Sequence, residues 1–195
     1  QILTSDSEKP VWTDPAAGGS NGWVPLSTAT IADSTIATVV FDSGVDSTYA
    51  GLVFVFDKVE TSSAGVAIDM RMGLSGTYDS TTVYGYHVQH SAWDSATYAS
   101  TADSNHDAIR LCVALTGSDS VFYNGVAHMW HHHDSTHTTT VTYQGQGGDN
   151  TATWPGTANG FGQYQPQTKV DGVTFLCNTG NFRAGRITMY GLAFS

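Results

Sequence analysis

Six side chains crowd one short run: His128, Trp130, His131, His132, His133 and His137. Imidazole is the commonest protein ligand for transition metals, so their spacing has a chemical meaning. With Asp134-Ser135 as a two-residue hairpin turn, His133 faces Thr136, His132 faces His137 and His131 faces Thr138. Cβ atoms directly opposed across such a pair lie about 4.5–5.5 Å apart. His132 and His137 are therefore the pair that could hold one divalent ion, although no cofactor is expected. Two imidazoles supply half of a tetrahedral zinc site. A loop carboxylate, water, or further copies of the chain around a trimer axis would complete it. The other reading is a hydrated hairpin tip, or a subunit contact built from His and Thr.

A second set of candidates is aromatic. Residues 93–107 carry Trp93, Tyr98, Asn105 and His106, and residues 145–169 carry Trp154, Phe161 and Tyr164 among Gly, Asn, Gln and Pro. Both stretches read as long loops, and long loops on a compact β-domain are commonly functional. Aromatic rings beside amides suit sugars or polar protein surfaces. Trp93, Tyr98, Trp154, Phe161 and Tyr164 are thus the receptor-binding candidates. The alternative is that these rings only pin the loops to the domain. Residues 94–104 are the one weak helical candidate.

No catalytic residue is expected. The chain lacks H-E-x-x-H, G-x-S-x-G and the phosphate-binding G-x-x-x-x-G-K-[ST]. Its carboxylates are scattered as Asp in turn-like segments, where Asp is expected on structural grounds. A glycan hydrolase or lyase using two of them is the remaining enzymatic reading.

Strands must position these groups. Gly51-Leu52-Val53-Phe54-Val55-Phe56 is a continuous apolar run, too short for a buried helix, and reads as a central strand. Val66, Ile68, Met70, Met72 and Leu74 alternate with Ala67, Asp69, Arg71 and Gly73, the pattern of a strand with one face to the core. Ile109, Leu111, Val113 and Leu115 form another stripe; Val173, Phe175 and Cys177 share a face; residues 185–194 make the last strand. The expected fold is an all-β, jelly-roll-like antiparallel β-sandwich of about nine strands. Residues 26–195 form its single domain. Residues 1–25 are broken by Pro10, Pro15 and Pro25 and read as an extended arm. Ile2, Leu3, Trp12 and Trp23 are too apolar for an idle tail and are expected to touch the domain or a neighbouring chain.

Composition narrows the partners. Charged residues are 12% of the chain, against about 25% in an average globular protein. Net charge is −10, which excludes a general nucleic-acid binder and disfavours anionic membranes. No apolar run reaches the ~18 residues of a membrane span, and the first residues do not form a signal peptide. Gln1 without Met suggests a chain cut from something longer. Cys112 and Cys177 sit in apolar runs and are read as buried thiols, with a disulfide as the alternative.

Three segments carry a resemblance. Gln1-Ile2-Leu3-Thr4-Ser5-Asp6 with Pro10-Val11-Trp12 resembles the Q-V-L-T-S-D-G … W linker before the C-terminal domains of bacteriophage fibre proteins. Residues 49–59 and 66–74 are similar to the paired core strands that follow it. Gly180-Asn181-Phe182, then Ile187-Thr188-Met189-Tyr190-Gly191-Leu192, is similar to the family's closing G-x-I-x-L-Y-G strand. Glu8 stands near a usual Gly, and Met189 replaces the usual Leu. The resemblance implies a virion β-sandwich, often trimeric, on a tail fibre as a receptor-binding domain or on the capsid as a decoration or head-fibre protein. Its partners would be other virion proteins and a host surface glycan or protein. It transfers no binding residue and no cofactor.

Overall fold

Period-2 alternation of apolar residues, interrupted by Gly, Asp, Asn and Ser, runs through most of this chain, and it produces strands almost throughout. In a computed structural model the described residues, 2–5, 10–13, 22–63, 65–92, 98–112, 122–148 and 156–193, are all-β and contain no helix. The strands are β1 (Ile2–Ser5), β2 (Pro10–Thr13), β3 (Trp23–Ile31), β4 (Thr38–Phe41), β5 (Tyr49–Thr61), β6 (Ile68–Leu74), β7 (Thr77–Tyr78) and β8 (Tyr84–Ala92). They continue as β9 (Tyr98–His106), β10 (Ile109–Arg110), β11 (Phe122–Trp130), β12 (Thr139–Gly148), β13 (Gly156–Tyr164), β14 (Gly172–Cys177) and β15 (Phe182–Ala193).

Two unequal antiparallel sheets build the sandwich. The larger has eight strands in the order β3-β15-β5-β11-β12-β13-β8-β9, and the smaller has five, β10-β6-β14-β4 with β7 paired to β6. Side chains from both sheets meet in one core. Phe54 and Phe56 of β5 each approach Phe175 of β14 with ring centroids 5.1 Å apart and near-perpendicular planes. Phe41 and Tyr123 extend the same edge-to-face cluster. Each such pair adds about 0.5–1.5 kcal/mol beyond the area it buries.

Six strands go beyond the expected nine: β1, β2, β3 and β7, and two stretches read as loops, β9 and β13. Tyr98–His106 is the edge strand β9, neither helix nor loop. Gly156–Tyr164 is β13, inside the large sheet between β12 and β8. The glycines that suggested a loop have a packing reason. A Cβ on Gly145 would strike the Tyr123 ring, one on Gly160 the His87 carbonyl and Tyr143, and one on Gly162 the side chain of Ile109. Large side chains from neighbouring strands occupy these positions, and only glycine leaves them room.

The amino-terminal boundary also moves. Trp23, Val24 and Pro25 open β3, which pairs along β15 as an edge strand of the large sheet. They belong to the sandwich and not to an arm. β1 and β2 pair with each other in a separate two-stranded sheet. Residues 113–120 lie outside the described residues, so the stripe expected to run through Val113 and Leu115 is followed only to Leu111 and Cys112.

Cys112 and Cys177 are free and buried. Burial pushes both thiols up to about 12, so neither is a nucleophile at neutral pH. The Cys112 Sγ accepts the Ile68 backbone N–H at 3.3 Å.

Candidate binding face on the large sheet

A sheet with one face on the core offers its other face to solvent, and alternation decides which residues stand there. In the large sheet Ala127, Met129, Val141, Tyr143, Ala158, Tyr86 and Val88 are buried against the smaller sheet. Their neighbours along the chain face out. Register aligns these into cross-strand rows. One row runs Tyr190, Val53, His128, Thr142, Phe161, His87. The next runs Thr188, Val55, Val126, Gln144, Asn159, Gln89.

Two aromatic groups flank the middle of this face. On one side Trp23, 50% exposed, reaches across from the edge strand. Its ring centroid lies 5.8 Å from His128 and 5.7 Å from Tyr190. This explains why Val53, outward by register, is 0% exposed. Trp130 stacks parallel to His128 and lies over Gly51, where any Cβ would touch the indole. Burial among these rings lowers the His128 pKa below the ordinary imidazole value, which keeps the ring neutral. On the other side Phe161, 58% exposed, stacks on His87 with centroids 5.7 Å apart. His128 and Phe161 are two strand spacings apart, about 10 Å.

Between and below them the surface is lined with amides. A shallow cleft of about 470 Å³ is bounded by Asn124, Val126, Gln144, Gln146, Thr157 and Asn159. A smaller one of about 250 Å³ adjoins it at His128, Thr142 and Gln144, and a third of about 440 Å³ opens beside His87, Phe161 and Gln163, with Asp103 of β9 at its wall. A register shift between Tyr123 and Gly125 aims Asn124 outward, and its Oδ1 accepts the Lys58 backbone N–H at 2.6 Å. Among the outward residues of β8, β11, β12 and β13 that are described, none is Asp, Glu, Lys or Arg.

Of the aromatic candidates, Phe161 stands on this face. Tyr164 does not: its position on β13 has the inward parity, it is 6% exposed, and it stacks on Tyr84 while donating a 3.1 Å hydrogen bond to Asp79. It is a core residue, and its role as a receptor contact is corrected. Tyr98 begins β9 opposite Ser91. Trp93 and Trp154 lie outside the described residues. Ile2, Leu3 and Trp12 fall on the β1–β2 pair, whereas Trp23, expected with them, belongs to the binding face. Gln144, Gln146 and Asn159 were missed as candidates. Their signal was alternation: in Val141–Gln146 and Ala158–Tyr164 an amide, Thr or Phe stands at every second position.

The histidine register is also different. β11 ends at Trp130, opposite Thr140, and residues 131–138 form a broader connection. His132 and His137 therefore do not meet. His132 turns inward, fully buried, with Nε2 2.8 Å from the Asp46 carbonyl. His137 stays exposed beside Asp134.

Comparisons with protein-family models, with curated proteins and with solved structures find no match.

Proposed function

We propose that this chain is a receptor-binding domain of a bacteriophage tail fibre and that the outer face of its large sheet holds a neutral glycan of the host surface. The glycan reading is carried by one observation: an amide-lined surface on β8, β11, β12 and β13 without charged outward side chains among the described residues, flanked by Trp23, His128 and Trp130 on one side and Phe161 with His87 on the other. Sugars present hydroxyls around an apolar C–H face. Amides satisfy the first, and exposed aromatic rings pack against the second. An uncharged surface suits a neutral polymer better than an acidic one. The virion reading rests on the resemblance of the opening, central and closing segments alone. With shallow clefts, one copy binds weakly, and a trimeric fibre multiplies the effect by avidity. Binding without bond cleavage fits central strands, β8, β11, β12 and β13, on which no outward carboxylate stands among the described residues.

The alternative reading is a capsid decoration or head-fibre protein. The separate β1–β2 pair favours it, as a segment suited to hold another virion protein. Labelled chain found on the capsid shell, away from the tail, would replace the fibre reading.

Calorimetric titration with neutral oligosaccharides from host surface polysaccharide tests the site. Saturable binding is expected, weakened about tenfold, or ~1.4 kcal/mol, by Phe161→Ala at unchanged melting temperature. Absence of saturable binding overturns the reading, and new reducing ends would make the chain an enzyme.

A further inference from the structure

The connection between β11 and β12 brings together three metal-ligating groups, two of them absent from the expected pair. His131, Asp134 and His137 each offer one ligand atom, and these atoms all lie within 4.8 Å of one another. The His131 and His137 rings stand with centroids 5.5 Å apart. The His137 Nδ1 is 2.5 Å from Asp134 Oδ2. The other carboxylate oxygen, Oδ1, accepts the Thr136 backbone N–H at 2.7 Å and its hydroxyl at 2.6 Å. Asp134 is thus oriented by a neighbour, as metal-bound carboxylates are.

The connection is held on the sandwich from beneath. His132, fully buried, bonds the Asp46 carbonyl through Nε2, and its own carbonyl accepts the Val170 N–H at 2.6 Å. This anchor fixes His131 on one side and Asp134 on the other. A local Asp-Thr turn with an ion pair accounts for Asp134, Thr136 and His137. It does not account for His131, whose backbone takes a left-handed φ of 59° and whose ring lies beside His137.

We propose that His131, Asp134 and His137 bind one divalent transition-metal ion, of the zinc or nickel class. Two imidazoles and one carboxylate suit such ions, whereas calcium and magnesium require mainly oxygen ligands. Three protein ligands leave positions open to water, since His131 and His137 are exposed. The site borders the binding face, because Trp130 directly precedes His131 and the Gln163 amide donates to Thr138 at 2.7 Å. It stands independently of the glycan proposal.

Titration of the tag-free full chain with zinc chloride, followed by calorimetry, reads the stoichiometry. One ion per chain is expected, with binding weakened about tenfold or more in His131→Ala and in His137→Ala. His90→Ala is expected to bind as the unaltered chain does. Melting without zinc reports whether each variant is folded, and His137→Asn serves if the alanine variant is not. No saturable binding, binding by the His131 and His137 variants as tight as by the unaltered chain, or magnesium bound as tightly as zinc would overturn the proposal.

Discussion

Asp69 is 3% exposed, and its carboxylate is held by Arg110 through Nε at 3.0 Å and a second nitrogen at 3.3 Å. Arg110 in turn lies over the Tyr86 ring, with Cζ 5.9 Å from its centroid. Removing one partner of such a pair leaves a buried charge without compensation. Arg110→Met is expected to cost about 3 kcal/mol or more in urea unfolding, and Arg110→Met with Asp69→Leu considerably less. A double-variant cost equal to the sum of the Arg110→Met and Asp69→Leu costs would show that the pair is not coupled.

His132 makes a second prediction at this scale. Burial is the largest influence on its imidazole and lowers its pKa, against the opposing hydrogen bond to Asp46. The unfolded chain then binds a proton more readily than the folded one. Stability from this group is full above the unfolded value of about 6.5 and is lost as pH falls below it. Melting temperature should fall between pH ~7 and ~5, and His132→Gln should flatten that slope. An unchanged slope in the variant would assign the effect elsewhere. His132 shows why the histidine run was only partly legible. Composition marks it as chemically notable, but which ring goes inward depends on Asp46 and Val170, far away in the chain.

At the scale of the element, β5 and β15 follow their apolar patterns closely. Leu52, Val53 and Phe54 are all 0% exposed in the centre of the large sheet. In the closing strand Ile187 and Met189 face the core while Thr188 and Tyr190 face out, as alternation requires. β13 follows the same rule but conceals it. Its inward positions are Gly156, Ala158, Gly160, Gly162 and Tyr164, so the apolar stripe is mostly missing and the segment reads as a loop. At Gly160 and Gly162 the space is filled by Tyr143 and Ile109 from other strands. Gly160→Ala is therefore expected to cost about 2 kcal/mol, because the Cβ meets backbone that cannot yield. Gly22, with nothing within 4 Å of such a Cβ, is the matched control. Equal melting temperatures for the two alanine variants would refute this packing account.

For the whole molecule, the sandwich was legible because a polar-apolar alternation with few charges and many turn residues leads to few other architectures. The candidate binding face was not. It is assembled from β3, β8 and the consecutive β11, β12 and β13, and each contributes ordinary polar or aromatic residues that carry no motif. Only the registry of strands puts Phe161 beside His87 and Trp23 beside His128. The central and closing segments of the resemblance to fibre domains fall on β5, β6 and β15, which carry core residues, whereas its opening segment falls on the separate β1–β2 pair. Most of the exposed aromatic and amide groups lie on strands that carry no such motif.

The most direct test is to titrate ¹⁵N-labelled chain with a neutral host-surface oligosaccharide and follow its backbone amides by NMR. The account predicts progressive, saturable shifts concentrated at Gln144, Asn159, Phe161, His87 and His128, abolished or strongly weakened by Phe161→Ala. Saturable shifts confined to other parts of the molecule, or no shifts with any neutral glycan, would contradict it.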